Sequence, residues 1–209
     1  MIPPSAAPQP GLTEEPSDRG PFSSSEPFYQ RLAASCSSIL LFLVCVVAAM
    51  IIREETANDR PQISEVVQAA FGRMAEAHLV EQLRAEGDST IALIAVEQAR
   101  IIGHVMLSSV TAPFKALGLG PVSVRPDHQR SGVGSALIRE ALRQARQGGW
   151  DAVFVLGDPR FYRRFGFDPE PAGGFTCLYA GPHFMVLFMS NALPRTGTIA
   201  YASAFAALP

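Results

Sequence analysis

Between Val122 and Leu137 the chain reads Val-Ser-Val-Arg-Pro-Asp-His-Gln-Arg-Ser-Gly-Val-Gly-Ser-Ala-Leu. An apolar run gives way to a polar loop and then to a long amphipathic stretch, so Gly132 and Gly134 stand where a strand becomes a helix. Without side chains, these positions let backbone N–H groups approach a ligand closely. The first helical turn leaves its N–H groups without partners and carries the positive end of the helix dipole. Arg125 and Arg130 add charge of the same sign. Such a segment suits a phosphate or pyrophosphate. It is not a Walker A loop, because no Gly-Lys-Ser/Thr follows, and not a dinucleotide fingerprint, because the third glycine is missing. Taken alone, the two glycines fit a plain tight turn equally well.

Holding such a loop takes a sheet and a helix, and the flanking residues supply both. Residues 132–147 place Leu137, Ile138, Ala141, Leu142 and Ala145 on one helical face, and Gly148-Gly149 ends the helix. Upstream, residues 51–53 form a short strand. Asn58 or Asp59 caps a helix that carries Ile63, Val66, Val67, Ala70 and Phe71 at helical spacing. Residues 74–85 form a second amphipathic helix, with Leu79, Val80 and Leu83 inward. Strands are predicted at 91–96 and 101–108 around the turn Glu97-Gln98-Ala99-Arg100, and at 117–124. Residues 152–156 are wholly apolar, as in a strand buried on both faces. A short helix follows at 159–165, closed by Gly166, and a late strand at 184–189. Strands and helices in this mixed order indicate an α/β domain of the α+β, mixed-sheet kind. Residues 197–201 and 203–208 read as a last strand or arm that packs on the domain or on a second copy in a homodimer.

Composition excludes several classes. Seventeen Lys and Arg against nineteen Asp and Glu leave a net charge of -2, without the basic excess of a nucleic-acid binder. Cys36, Cys45 and Cys177 have no paired spacing, which excludes a disulfide scaffold and a Cys-rich zinc site, and no metal is expected. Residues 1–31 hold seven of the seventeen prolines and read as a disordered tail. Residues 32–52 carry no charge and are long enough to cross a bilayer. Three readings of that segment stand: a single-pass membrane anchor, a signal peptide, or an upstream artefact with translation truly starting at Met50. Only the first brings a membrane into the protein's work. Residues 50–209 form the working domain, charge-balanced and long enough to bury a core.

Val124-Arg-Pro126-Asp-His-Gln129-Arg-Ser-Gly132-Val-Gly134, followed by the long helix, resembles the acetyl-CoA loop of GNAT N-acetyltransferases. Twenty-eight residues after Gly134, Tyr162-Arg-Arg-Phe-Gly166-Phe167 is similar to that family's tyrosine-to-Gly-Phe signature. Gly157-Asp158-Pro159 just before it is similar to a bacterial branch of predicted small-acceptor N-acetyltransferases. The resemblance spans nearly all of residues 50–190.

It implies the GNAT-like fold: a central, mostly antiparallel sheet, splayed between its fourth and fifth strands and flanked by helices. It implies an N-acetyltransferase with acetyl-CoA as co-substrate, a small-molecule or peptide amine as acceptor, and a cytoplasmic catalytic domain. Backbone groups of Val122 and Val124 would pair with the pantetheine arm. N–H groups across Gln129, Arg130, Ser131, Gly132, Val133 and Gly134 would hold the pyrophosphate, with the Arg130 side chain also reaching a phosphate. The amine would attack the thioester directly. Tyr162 matches the position that protonates the leaving thiolate, and a packing tyrosine beside Phe161 and Phe165 is the alternative.

The family often has an asparagine before this helix, where Asp158-Pro159 stands here. Residues 117–124 contain no carboxylate to serve as base. Asp158, His104 and a water held by Ser123 are the candidates, although Asp158 also reads as a helix cap and His104 as a structural residue. His128 reads as a surface residue, and Cys177 has no identifiable His partner. Trp150, Phe161, Phe165 and Phe167 read as core, and Arg139, Arg143 and Arg146 as a solvated helix face. Two other functions remain compatible: a non-catalytic CoA-binding or sensing module, and a membrane-tethered adaptor built around residues 32–52.

Overall fold

Two apolar runs, one on each side of Gln98-Ala99, fold as a long hairpin. β2 (Ser89–Glu97) and β3 (Arg100–Thr111) are joined by a two-residue turn in which both Gln98 and Ala99 take positive φ (49° and 63°). The computed structural model describes residues 50–207, all within one unit of the chain, Cys45–Pro209. The expected tail at 1–31, and the apolar segment up to residue 49, lie outside the described residues. None of the described helices is long and apolar enough to cross a membrane.

β1 (Ile51–Glu54), β2, β3 and β4 (Ala116–Val124) run antiparallel to one another. β4 then pairs in parallel with β5 (Ala152–Leu156), and β5 pairs antiparallel with β7 (Phe184–Phe188). β5 is apolar because it lies between two strands and two layers of side chains, and residues 152–155 are all buried.

The long helix α3 (Val133–Gln147) covers one face of this sheet. Its Val133, Leu137, Ile138, Ala141, Leu142 and Ala145 are buried against Val105, Leu107, Leu117 and Val153. The helices α1 (Arg60–Phe71) and α2 (Ala75–Ala85) cover the opposite face, burying Ile63, Val67, Leu79 and Leu83 over Ile94 and Met106. The entry to α1 differs from the expected cap. A 3-10 turn, Ala57–Asp59, precedes the helix, so the capping box is set by Thr56, and the Asp59 carboxylate turns back to the Thr56 N–H (2.7 Å) and hydroxyl (2.8 Å).

The C-terminal arm folds onto its own domain. β8 (Gly197–Thr198) pairs with β6 (Phe175–Thr176), while β9 (Ala200–Tyr201) extends the end of β3 with Tyr201 opposite Val110. The following turn, Ser203–Ala207, packs against α2, and the Ser203 hydroxyl donates to Glu86 (2.9 Å).

One buried charge cluster ties α2 to the sheet. The Arg84 guanidinium grips Glu55 through Nε (2.7 Å) and Nη2 (2.6 Å), and the fully buried His104 donates from Nε2 to the same carboxylate (3.0 Å). Burial alone would raise the Glu55 pKa, but the hydrogen bonds from His104 and Arg84 outweigh it and hold the group at about 2. Burial also lowers the His104 pKa, against the opposing pull of the Glu55 carboxylate. A carboxylate depressed in the folded state contributes stability that is present above its unfolded pKa and lost as pH falls. We therefore expect Glu55→Gln to cost about 3 kcal/mol at neutral pH. The gap from the parent protein should narrow as pH falls from about 4.5 towards 2, read by urea denaturation at each pH. A gap independent of pH would contradict the assignment.

Candidate active site

The site begins with an irregularity in β4. Val105 faces Val122 and Leu107 faces Leu119, so β3 advances two residues while β4 advances three. The extra residue falls at Gly120-Pro121, and a proline has no N–H to offer a neighbouring strand. Pairing with β5 ends at the same point, with Leu119 opposite Val155. Beyond it the two strands part, and a cleft of about 590 Å³ opens beside Val122 and Val124.

The loop after β4 closes one end of this cleft. The Gln129 side chain donates to the Val124 carbonyl (3.2 Å), and the Ser131 hydroxyl donates to the His128 carbonyl (2.6 Å). These bonds fold the loop so that Gly132 caps α3 in the left-handed region, at φ 95°. A Cβ at Gly132 would meet nothing within 4 Å, so the approach to the first turn of α3 is open. The N–H groups there have no upstream carbonyls to bind, and Gly132, Gly134 and Ser135, at the positive end of this fifteen-residue helix, line the cleft.

Of the residues expected to hold a ligand, Val122, Val124, Gln129, Arg130, Gly132 and Gly134 all line this one cleft. Ser131 is exposed beside it with its hydroxyl already bound, and Val133 is buried beneath α3. The Gln129 N–H is bound to the Pro126 carbonyl (3.4 Å), so its contribution lies in shaping the loop. Arg130 is exposed and forms no ion pair among the described residues, whereas Arg125 leans towards Asp127 (3.4 Å).

Tyr162 closes the other end. It sits on the short helix α4 (Pro159–Tyr162), which Asp158 caps by accepting from the Arg160 N–H (2.9 Å). The ring stands edge-on to Phe161 (5.0 Å between centroids) and Phe167 (5.9 Å). Gly157 at the end of β5 makes room for it, since a Cβ there would lie 2.4 Å from the Tyr162 ring. Burial pushes the phenol up to about 12, so it stays protonated and is a hydrogen-bond donor at ordinary pH.

A second cavity of about 290 Å³ lies beyond Tyr162 and shares Phe71, Val122 and Tyr162 with the first. It is walled by the β4 irregularity, by Glu76 and Leu79 of α2, by Tyr179 in the loop between β6 and β7, and by Tyr201 and Phe205 of the C-terminal arm. Tyr162 therefore stands at the junction of two chambers.

The other expected residues fall elsewhere. His104 and Ser123 are buried under α1 and α2, Asp158 caps α4, and none of the three lines either cavity. His128 does line the cleft, with Nδ1 against Asp127 (2.9 Å). Phe167 is core, but Phe161 is only half-buried and walls the cleft, where the Arg164 guanidinium lies 4.0 Å from its ring centroid. Phe71, which ends α1, belongs to the site rather than to the helix core and is 41% exposed. Among the described residues no group of three or more His, Cys, Asp or Glu is placed to hold a metal ion.

The sequence matches the family of the Acetyltransferase (GNAT) domain over residues 51–169. The uncharacterized N-acetyltransferase YhbS of Escherichia coli K12 is 34% identical over 136 residues, 63% of this chain and 81% of its own. The crystal structure of YhbS from Escherichia coli in complex with CoA superposes with a TM-score of 0.70 at 30% identity, covering 76% of this chain and 93% of that one. A GNAT family acetyltransferase from Brucella melitensis, solved in complex with acetyl-CoA, superposes with a TM-score of 0.66 at 36% identity, covering 76% of this chain and 99% of that one.

The packing of Gly157 under Tyr162 can be tested without any ligand. Gly157→Ala should destabilise the fold by about 1–3 kcal/mol through overpacking, and most of that cost should vanish in a Tyr162→Ala background. Chemical denaturation of the four proteins in this cycle measures both values. An equal cost in both backgrounds would show that the Tyr162 ring does not rest on Gly157.

Proposed function

The chain belongs to the GNAT acetyltransferase family, and we propose that it transfers the acetyl group of acetyl-CoA to a small-molecule or peptide primary amine by direct attack. The observation that carries this reading is the cleft in the β4–β5 split, which runs from the unpaired N–H groups of α3 to the Tyr162 hydroxyl. The open approach over Gly132 fits a pyrophosphate, and the parted edge of β4 fits an extended arm bearing amides. Acetyl-CoA, when bound, supplies an acyl group activated as a thioester.

In this reading the N–H groups of residues 132–134 hold the pyrophosphate, and Arg130 adds a mobile positive charge. Backbone groups of Val122 and Val124 pair with the pantetheine amides as an added strand would. Tyr162 then meets the sulfur. A thiol titrates near 8.5 in water, well below this phenol. The same exclusion of water that raises the Tyr162 pKa also raises the basicity of a thiolate beside it. Tyr162 therefore donates a hydrogen bond as negative charge develops on sulfur and yields its proton as the bond to the acetyl group breaks. His104, Ser123 and Asp158 line neither cavity, and Glu76, the carboxylate that lines the second, is held by Arg73, so in this reading the amine loses its proton to water before attack.

Calorimetry and turnover on the full chain test this reading together. Acetyl-CoA should bind, and Gly132→Glu or Gly134→Glu should abolish binding by setting a carboxylate against the pyrophosphate. Tyr162→Phe should keep that affinity and lower kcat by about 10²–10⁴-fold. With the phenol held up at about 12, the parent kcat should show no loss from Tyr162 up to about pH 10, the ordinary phenol pKa, and should fall only well above it. A folded protein that ignores acetyl-CoA would overturn the proposal. Tight binding without turnover on any amine would make it a CoA-binding module, and an unchanged kcat in Tyr162→Phe would remove the acid role.

A further inference from the structure

We propose that the second cavity selects a compact, largely apolar primary amine carrying a single positive charge, with the Glu76 carboxylate as its ammonium-binding group. The inference rests on the acetyl-transfer reading, which makes this cavity the acceptor chamber. At about 290 Å³ the cavity is at the small end of ligand sites, which run ~300–1,000 Å³. Its walls are mostly apolar, and one corner is a fixed set of rings. Tyr201 stands edge-on to Tyr179 (5.4 Å) and to Phe205 (5.1 Å). Gly118 on β4 admits the Tyr201 ring, since a Cβ there would lie 2.5 Å from it. Phe71 and Leu156, 41% and 50% exposed, give the chamber an apolar rim.

Against this lining stands one charged side chain. Glu76 is 4% exposed, and removing a carboxylate from water is costly unless its oxygens are matched. Arg73, whose side chain is 51% exposed, pairs with both of its oxygens, donating from Nε (2.9 and 3.1 Å) and from Nη2 (2.5 Å), and each oxygen keeps a further lone pair for an incoming N–H donor. That contact fixes the carboxylate while leaving it part of the cavity wall. An ammonium entering among aromatic rings finds both a counter-charge and ring faces.

The same chemistry excludes other amines. Among the described residues no Lys or Arg lines this cavity, so the carboxylate of an amino acid would enter a mostly apolar lining with no cation to pair it. A polyamine brings more positive charge than one carboxylate can match. A peptide brings backbone amides into a lining that offers them few partners.

Tyramine, L-tyrosine and spermidine discriminate these cases. Each is titrated by calorimetry into the free full chain and into the chain saturated with CoA. Tyramine should bind at least tenfold more tightly than either competitor. Glu76→Gln should weaken it at least tenfold, and Phe205→Ala, in a terminal turn, several-fold. Thermal midpoints check that each variant folds, and Phe205→Ala serves alone if Glu76→Gln does not. Acetyl-CoA affinity should be unchanged in both variants. Failure of acetyl-CoA to bind the parent protein would count against the acetyl-transfer reading, while tyramine binding is scored separately. Equal or tighter binding of L-tyrosine or spermidine, no binding of tyramine in either state, tyramine affinity unchanged in Phe205→Ala, or tyramine affinity unchanged in a folded Glu76→Gln would overturn the proposal. In that last case Glu76 would serve only to pair with Arg73 at the start of α2.

Discussion

The parting of β4 from β5 is the constraint on which the rest of the site depends. Both strands lie deep in the sheet, where every backbone N–H and C=O is expected to have a partner. The extra residue at Gly120-Pro121 keeps β4 in register with β3 while its pairing with β5 ends at Leu119. Beyond that point the sheet has an internal edge, and an extended ligand with amide groups satisfies it better than water or side chains do. The same split separates the two structures that bound the cleft. The end of β4 leads into the loop before α3, while the end of β5 leads through Gly157 into the helix bearing Tyr162.

The chemistry drawn from this geometry relies on dipoles and exclusion of water more than on charged side chains. Unpaired N–H groups at the start of α3 are fixed by the backbone and need no reorganisation when an anion arrives. Tyr162 is held among Phe161, Phe167 and the bare face of Gly157, so its hydroxyl has little freedom to turn away. The charges that are buried serve to hold elements in place. Arg84, gripping Glu55 beside His104, fastens α2 to the sheet, and the opposite end of α2 presents Glu76 and Leu79 to the second chamber. A stability device at one end of the helix thus sets the wall of a cavity at the other.

Much of this was legible before the structure, because local patterns carried it. The loop from Val124 to Gly134, the helix after it and the Tyr162–Phe167 signature are contiguous, and their elements lie where the pattern put them. The hairpin was legible from two apolar runs on either side of the turn Glu97–Arg100, even though Gln98-Ala99 is a poor turn sequence. What was not legible depends on chain closure over long distances. Tyr201 and Phe205 reach the second cavity only because β9 joins β3 some ninety residues upstream. Phe71 and Phe161 carry the same apolar pattern as core residues, and only the open space beside them separates site from core. Glu76 gave no local sign, since an acidic residue in a first helical turn ordinarily serves the helix dipole.

A crystal structure of the full chain with CoA bound would show whether the β4–β5 gap holds the cofactor. The pyrophosphate is expected on the N–H groups of residues 132–134, the pantetheine amides paired with Val122 and Val124 in the β4–β5 gap, and the sulfur in hydrogen-bond contact with the Tyr162 hydroxyl. A ligand bound elsewhere, or a sulfur that ends away from Tyr162 at the junction of the two cavities, would contradict the account.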